Sequence, residues 1–129
     1  MEPSYLIDSN VLIDYISEQL PTKSLKHLDK LFENNCYISI INRIEILGFS
    51  KYSPSSLKNI STLLNNFTEL NLSEEIAIST INVRKTKRIK LPDAIIAGTA
   101  IVNELILINR NTSDFKNIKG LKNINLYEL

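Results

Sequence analysis

Four carboxylates in this 129-residue chain stand where layered folds usually do chemistry, at the end of an apolar run or the start of the helix that follows. Asp8 directly ends the run Tyr5-Leu6-Ile7, and Glu45 lies inside the otherwise apolar stretch Ile40 to Phe49. Asp93 follows Pro92 at the head of an Ala- and Ile-rich segment. Asp114 comes six residues after the apolar run Leu105–Ile108. Such acids gathered at one edge raise one another's pKa unless a cation sits among them. With oxygen donors alone, the hard ions Mg²⁺ or Mn²⁺ are the natural partners. Other chemistries lack their residues. The lone histidine, His27, falls on the polar side of a helical pattern and reads as a solvated surface residue, and the lone Cys36 opens an apolar run as a core residue. That leaves no Ser-His-Asp or Cys-His nucleophile, no Cys-based zinc site and no disulfide framework. A Gly-rich phosphate loop is also missing.

Each acid alone has a plainer reading. Asp8 could cap the next helix, Asp93 could complement a helix dipole, and Asp114 could cap a turn. Glu45 is harder to explain this way, because a carboxylate among apolar neighbours is costly unless it meets a cation or water. Convergence of all four is what favours function.

The elements that must position these acids follow from periodicity. Tyr5-Leu6-Ile7 and Cys36–Ile40 read as buried strands, Thr68–Leu72 as a short one, Leu105–Ile108 as buried, and Ile124–Leu126 as the last. Helical spacing joins Val11, Leu12, Tyr15 and Ile16, then Leu25, Leu28, Leu31 and Phe32 after Pro21. Further helices run through Ile41, Ile44 and Leu47, from Pro54 through Leu64, from a Ser73 N-cap to about Lys87, and from Asp93 to Val102. Strands alternating with helices predict an α/β single domain, residues 1–129, with a parallel sheet of about five strands flanked by helices on both faces.

Composition narrows the setting. Lys and Arg number 15 against 14 Asp and Glu, a net charge of +1, so bulk charge does not mark a nucleic-acid binder. No stretch of about 18 residues is free of charge and no signal-peptide pattern opens the chain, so no membrane span and a cytoplasmic protein are expected. One local feature departs from balance. Arg84, Lys85, Lys87, Arg88 and Lys90 place five cations in seven residues just before Asp93.

These residues resemble the PIN-domain family. Asp8-Ser9-Asn10-Val11-Leu12-Ile13-Asp14 is similar to its opening motif, Ile44-Glu45-Ile46-Leu47 to its second, Leu91-Pro92-Asp93-Ala94 to its third, and Asn109-Arg110-Asn111-Thr112-Ser113-Asp114-Phe115 to its fourth. Length and motif order fit the single-domain VapC-type toxins of toxin–antitoxin pairs. The resemblance implies a PIN-like fold and a Mg²⁺- or Mn²⁺-dependent endoribonuclease held inactive by a protein antitoxin. It also implies that Asp8, Glu45, Asp93 and Asp114 are the metal acids, with Asn10 and Asn111 supporting them. Asp14 stands outside that set as structural. Asn109 departs from the usual Thr or Ser. Beside such a site, the Arg84–Lys90 run is expected to meet RNA phosphates, with Arg43 and Arg110 as weaker candidates.

Other readings remain open. A phosphatase of the haloacid dehalogenase type also ends its first strand in Asp but needs a second Asp where this chain has Asn10. A response-regulator receiver would want paired acids and a Lys ending the last strand, neither of which is present. A catalytically idle PIN fold acting as an RNA-binding or interaction protein is the third. A homodimer and an antitoxin contact are expected through an apolar surface of Val11, Leu12, Tyr15, Ile16, Leu20, Leu25, Leu28, Leu31 and Phe32, extended by Leu63, Leu64 and Phe67.

Overall fold

Alternation along two buried strands decides the layering. In the computed structural model, which describes residues 2–49, 51–110 and 112–129, β1 (Ser4–Ile7) and β4 (Ile106–Asn109) lie side by side in parallel. Tyr5, Ile7 and Ile108 join one apolar cluster, whereas Leu6 and Leu107 join another. A period of two therefore sends successive side chains to opposite faces, and both faces must be covered.

The covering helices follow in chain order. Helices α1 (Ser9–Ile16), α2 (Thr22–Leu31) and α4 (Pro54–Leu64) contribute Val11, Leu12, Leu28, Ile60 and Leu64 to the first cluster. On the second face, α5 (Glu74–Thr86) and α6 (Leu91–Val102) contribute Val83, Ala94, Ile96, Ala97 and Ala100. Helix α3 (Ile40–Leu47) and the one-turn α7 (Thr112–Phe115) complete the set. Gly98 sets the α5–α6 spacing. A Cβ there would lie 2.6 Å from Thr80 Oγ1, 3.0 Å from the Thr80 backbone nitrogen and 3.2 Å from the Ile76 carbonyl.

With β2 (Asn35–Ser39), β3 (Thr68–Leu70) and β5 (Lys122–Asn125), the sheet has five parallel strands in the order β3-β2-β1-β4-β5. The chain leaves β1 toward β2 and leaves β4 toward β5, so the order reverses between β1 and β4. Open α/β sheets bind ligands in the crevice outside the strand ends at such a reversal.

The expected α/β architecture is present, with shifted ends. The strand expected over Cys36–Ile40 stops at Ser39, because Ser39 caps α3 and draws Ile40 into the helix. The strand expected over Thr68–Leu72 ends at Leu70. The last strand is Lys122–Asn125 rather than Ile124–Leu126, since Leu126 opens a 3-10 turn, Leu126–Glu128. Cys36 is half-buried against the core, its thiol donating to the Leu31 carbonyl at 3.2 Å and pushed up to about 11 by burial. His27 is partly covered rather than fully solvated.

The expected apolar patch is largely core. Val11, Leu12 and Leu28 are fully buried, Leu64 nearly so, and Phe32 and Phe67 are half-covered in an edge-to-face ladder with Tyr15. Fully burying one such aliphatic side chain contributes roughly 1.5–3 kcal/mol, which is why the first cluster draws them in. What remains is a groove of about 580 Å³ lined by Tyr15, Ile16, Leu20, Leu25, Ile60 and Leu63, with Glu18, Asp29 and Asn59 also in its wall. The most exposed large apolar side chains lie elsewhere, with Ile44 on α3 and Ile78 and Ile81 on α5 more than half exposed.

Candidate active site

Asp8 occupies the crevice. Its backbone N–H donates to the Ile108 carbonyl at 2.9 Å, pinning it where β1 and β4 diverge. It holds the N-cap position of α1, yet its side chain makes no capping hydrogen bond. The carboxylate is only 6% exposed. Burial, then the charge of Asp93, push its pKa up to about 7, with Glu45 adding to the rise and the Ser9 and Asn10 amides opposing it.

Three helices bring the other acids to the same edge. Helix α3 packs on both α1 and α6, and α6 also meets α7. Asp93 is the third residue of α6, after Pro92 in its first turn, and is half-buried. Its pKa is raised by burial first, then by Asp114 and Glu45, with Lys90 acting the other way. Glu45 lies on the exposed side of α3, and Asp114 is exposed on α7. The four acids therefore act on one another as charges. Among the described residues no three His, Cys, Asp or Glu side chains close to metal-ligating range. The arrangement is not an all-protein cage. It fits Mg²⁺ or Mn²⁺, which keep most of their waters and take only one or two carboxylates from a protein.

A cleft of about 180 Å³ joins this acidic edge to the cationic run. It is lined by Lys87, Arg88, Ile89, Lys90, Asp93, Ser113 and Asp114. Arg84 and Lys85 lie in the last turn of α5, where they also complement its dipole, and line a shallower neighbouring recess with Lys87 and Arg88. Lys87 additionally donates to the Lys116 carbonyl at 2.8 Å.

Two expected cations are committed elsewhere. Arg43 pairs with Glu69 at 2.5 Å. Arg110 donates to both carboxylate oxygens of Asp14 at 3.0 Å, and the Tyr127 hydroxyl donates to the same carboxylate. Asp14, 7% exposed, is thus structural, as expected, and Arg110 covers it from the surface. Burial and the Asp14 bond push Tyr127 up to about 12. Asn109 is fully buried and gives its amide N–H to Asn123 Oδ1 at 3.1 Å, so the departure from Thr or Ser is spent on the β4–β5 pair.

A buried polar group stands beside the expected supporting residues. Asn10 is exposed, whereas the neighbouring Ser9 is buried, and Asn111 lies outside the described residues. Ser9 Oγ donates to Glu45 Oε1 at 2.7 Å and accepts from Asn42 Nδ2 at 2.8 Å. Asn42 Oδ1 in turn accepts from the Ser39 backbone N–H at 2.7 Å. The sequence held a faint signal for Asn42. Ser39 and Asn42 have the spacing of a capping box, with Asn in place of the usual Glu or Gln.

Comparison with known proteins gives this geometry a family. The PIN domain profile matches residues 5–121. A toxin–antitoxin complex from Klebsiella pneumoniae is similar at 34% identity, covering 97% of this chain and 99% of that one, with a TM-score of 0.80. VapBC2 from Rickettsia felis, bound to a DNA fragment from its promoter, shares the fold at 23% identity, 95% and 98% coverage and a TM-score of 0.82. FitAcB from Neisseria gonorrhoeae does so at 23% identity, 97% and 99% coverage and a TM-score of 0.81. No curated protein sequence matches significantly. By the profile match and by the Klebsiella relative, the chain belongs to the PIN-domain family.

Proposed function

We propose that this chain is a Mg²⁺- or Mn²⁺-dependent endoribonuclease, the toxin of a toxin–antitoxin pair, acting on RNA in the cytoplasm. The observation that carries the reading is Asp8, a buried carboxylate raised by burial and by two neighbouring acids at the sheet's reversal point. Such a group is stabilised by a cation. PIN domains are nucleases in general, which agrees with that use.

In this reading Asp8 and Asp93 hold the ion, with Glu45 and Asp114 adding negative charge and holding its waters. A bound dication would lower the pKa of a coordinated water and offset charge on the phosphate. The chain's own task is to present the substrate. Lys87, Arg88 and Lys90 share a cleft with Asp93 and Asp114, so a phosphate lying on the cations is brought beside the acids. Arg84 and Lys85 extend the same cationic edge.

The antitoxin occupies the groove between α1, α2 and α4, whose apolar lining is left open by the core. The solved relatives include toxin–antitoxin complexes, which agrees with this assignment. A homodimer uses different surface, the exposed apolar residues of α3 and α5, and light scattering at micromolar concentration measures it.

The test is cleavage of a single-stranded RNA with Mn²⁺ and with chelator. Metal-dependent cleavage lost in Asp8→Asn and Asp93→Asn supports the reading. Intact RNA with wild-type protein that still binds Mn²⁺ would instead indicate an idle PIN fold.

A further inference from the structure

We propose that Ser9 and Asn42 are positioning residues that hold Glu45 in one orientation toward the Asp8–Asp93 pair, through a hydrogen-bond chain whose direction is set by the Ser39 amide. The direction follows from donor and acceptor chemistry alone. A backbone N–H only donates, so Asn42 must present Oδ1 to Ser39. Its remaining Nδ2 group only donates, and it lies 2.8 Å from Ser9 Oγ. The Ser9 oxygen is therefore an acceptor toward Asn42, and its single proton is left for Glu45 Oε1 at 2.7 Å. The reverse sense would require a backbone N–H to accept, which it cannot do.

Burial separates this chain from an ordinary surface contact. Ser39, Asn42 and Ser9 are 2%, 0% and 5% exposed, whereas Glu45 is exposed. A long, mobile carboxylate is thus tethered by groups that cannot move. One of its oxygens is engaged, and Oε2 stays available to the site. A capping role for Asn42 would need only Oδ1. The Nδ2 bond to Ser9 reaches across 33 residues to the helix that Asp8 begins.

The proposal rests on the metal-site reading, and its test has an arm that does not need nuclease activity. Mn²⁺ alone is titrated calorimetrically into folded wild type, Ser9→Ala, Ser9→Thr, Glu45→Gln and the Ser9→Ala/Glu45→Gln double variant. On a cleavable RNA, kcat and KM are measured separately. Ser9→Ala is expected to lower kcat about tenfold with KM unchanged, the scale of one hydrogen bond to a charged group. It should also weaken Mn²⁺ binding several-fold on the same scale, and Ser9→Thr should restore most of both. In the Glu45→Gln background the Ser9 change should add nothing, because the group it positions is already altered. An equal loss in both backgrounds would overturn the proposal, as would unchanged Mn²⁺ affinity in Ser9→Ala. Should wild type cleave no RNA, the Mn²⁺ cycle alone decides. If Ser9→Ala fails to fold, Asn42→Asp replaces it. That variant keeps an acceptor for Ser39 but offers Ser9 no donor, and it should lower kcat although its added charge favours cations.

Discussion

Replacing Asp8 by Asn should stabilise the metal-free protein. Asp8 has a pKa near 7 in the folded chain against 3.8 for the free side chain. A raised carboxylate pKa means that folding favours the protonated form. Its contribution to stability is fully present below pH 3.8 and is lost as pH rises to 7. At 1.36 kcal/mol per unit, the loss is about 2 kcal/mol at pH 5 and about 4 kcal/mol at pH 8. An Asn side chain has nearly the same shape and no charge, so the variant escapes that loss. At roughly 3–5 °C per kcal/mol for a domain of this size, its Tm should exceed wild type by about 10 °C or more at pH 8. The gap should narrow to about half at pH 5. Melting in chelator, followed by circular dichroism at both pH values, measures it. Saturating Mn²⁺ should then raise the wild-type Tm and narrow the gap, by about 2.7 kcal/mol at a hundredfold excess over Kd. An Asp8→Asn protein that melts at or below wild type in chelator at pH 8 would refute the claim that this carboxylate is held against its preference.

The remaining predictions concern neighbouring features. Mn²⁺ affinity measured by calorimetry should fall about fivefold between pH 7 and pH 6, because the proton on Asp8 must leave before the ion binds. Neutralising Lys87 and Arg88 together should weaken RNA binding across sequences and reduce the salt slope by about one to two charges, read by fluorescence titration at several salt concentrations. Gly98→Ala should cost about 1–3 kcal/mol in a urea melt, since its methyl meets the backbone of α5 as well as Thr80. Glu104→Gly should gain about 1 kcal/mol in the same melt, because Glu104 follows α6 with a φ of 53° that glycine adopts without strain.

The sequence disclosed the acids because each stands beside an element whose burial is legible. Asp8 ends an apolar run of three, so a strand and its reactive end are read together. The same logic did not reach the next residue. Ser9 is buried beside the exposed Asn10, and its partners Asn42 and Glu45 lie more than thirty positions away. Local pattern carries no information about such a bond. Periodicity also showed that α1 and α2 are apolar without showing which residues the sheet would cover. Val11, Leu12 and Leu28 went to the core and Leu25 to the rim of a groove, a division set by packing against β1 and α4. The pairing of Arg110 with Asp14 was not legible either, because Tyr127, which shares that partner, lies seventeen residues further along.

The position of β4 beside β1 has a consequence for the order in which the protein can be made. As the chain leaves the ribosome, β1, β2 and β3 can pair as soon as Leu70 is out, since each is a neighbour of one already made. The other edge of β1 then stays bare until Ile106–Asn109 has emerged. That edge carries Tyr5, Leu6 and Ile7, an apolar row of the kind that invites pairing with foreign strands. The crevice around Asp8 likewise has only one wall until β4 arrives, so the acidic edge is assembled late. The bare edge and the unfinished crevice therefore share one interval, fixed by strand order.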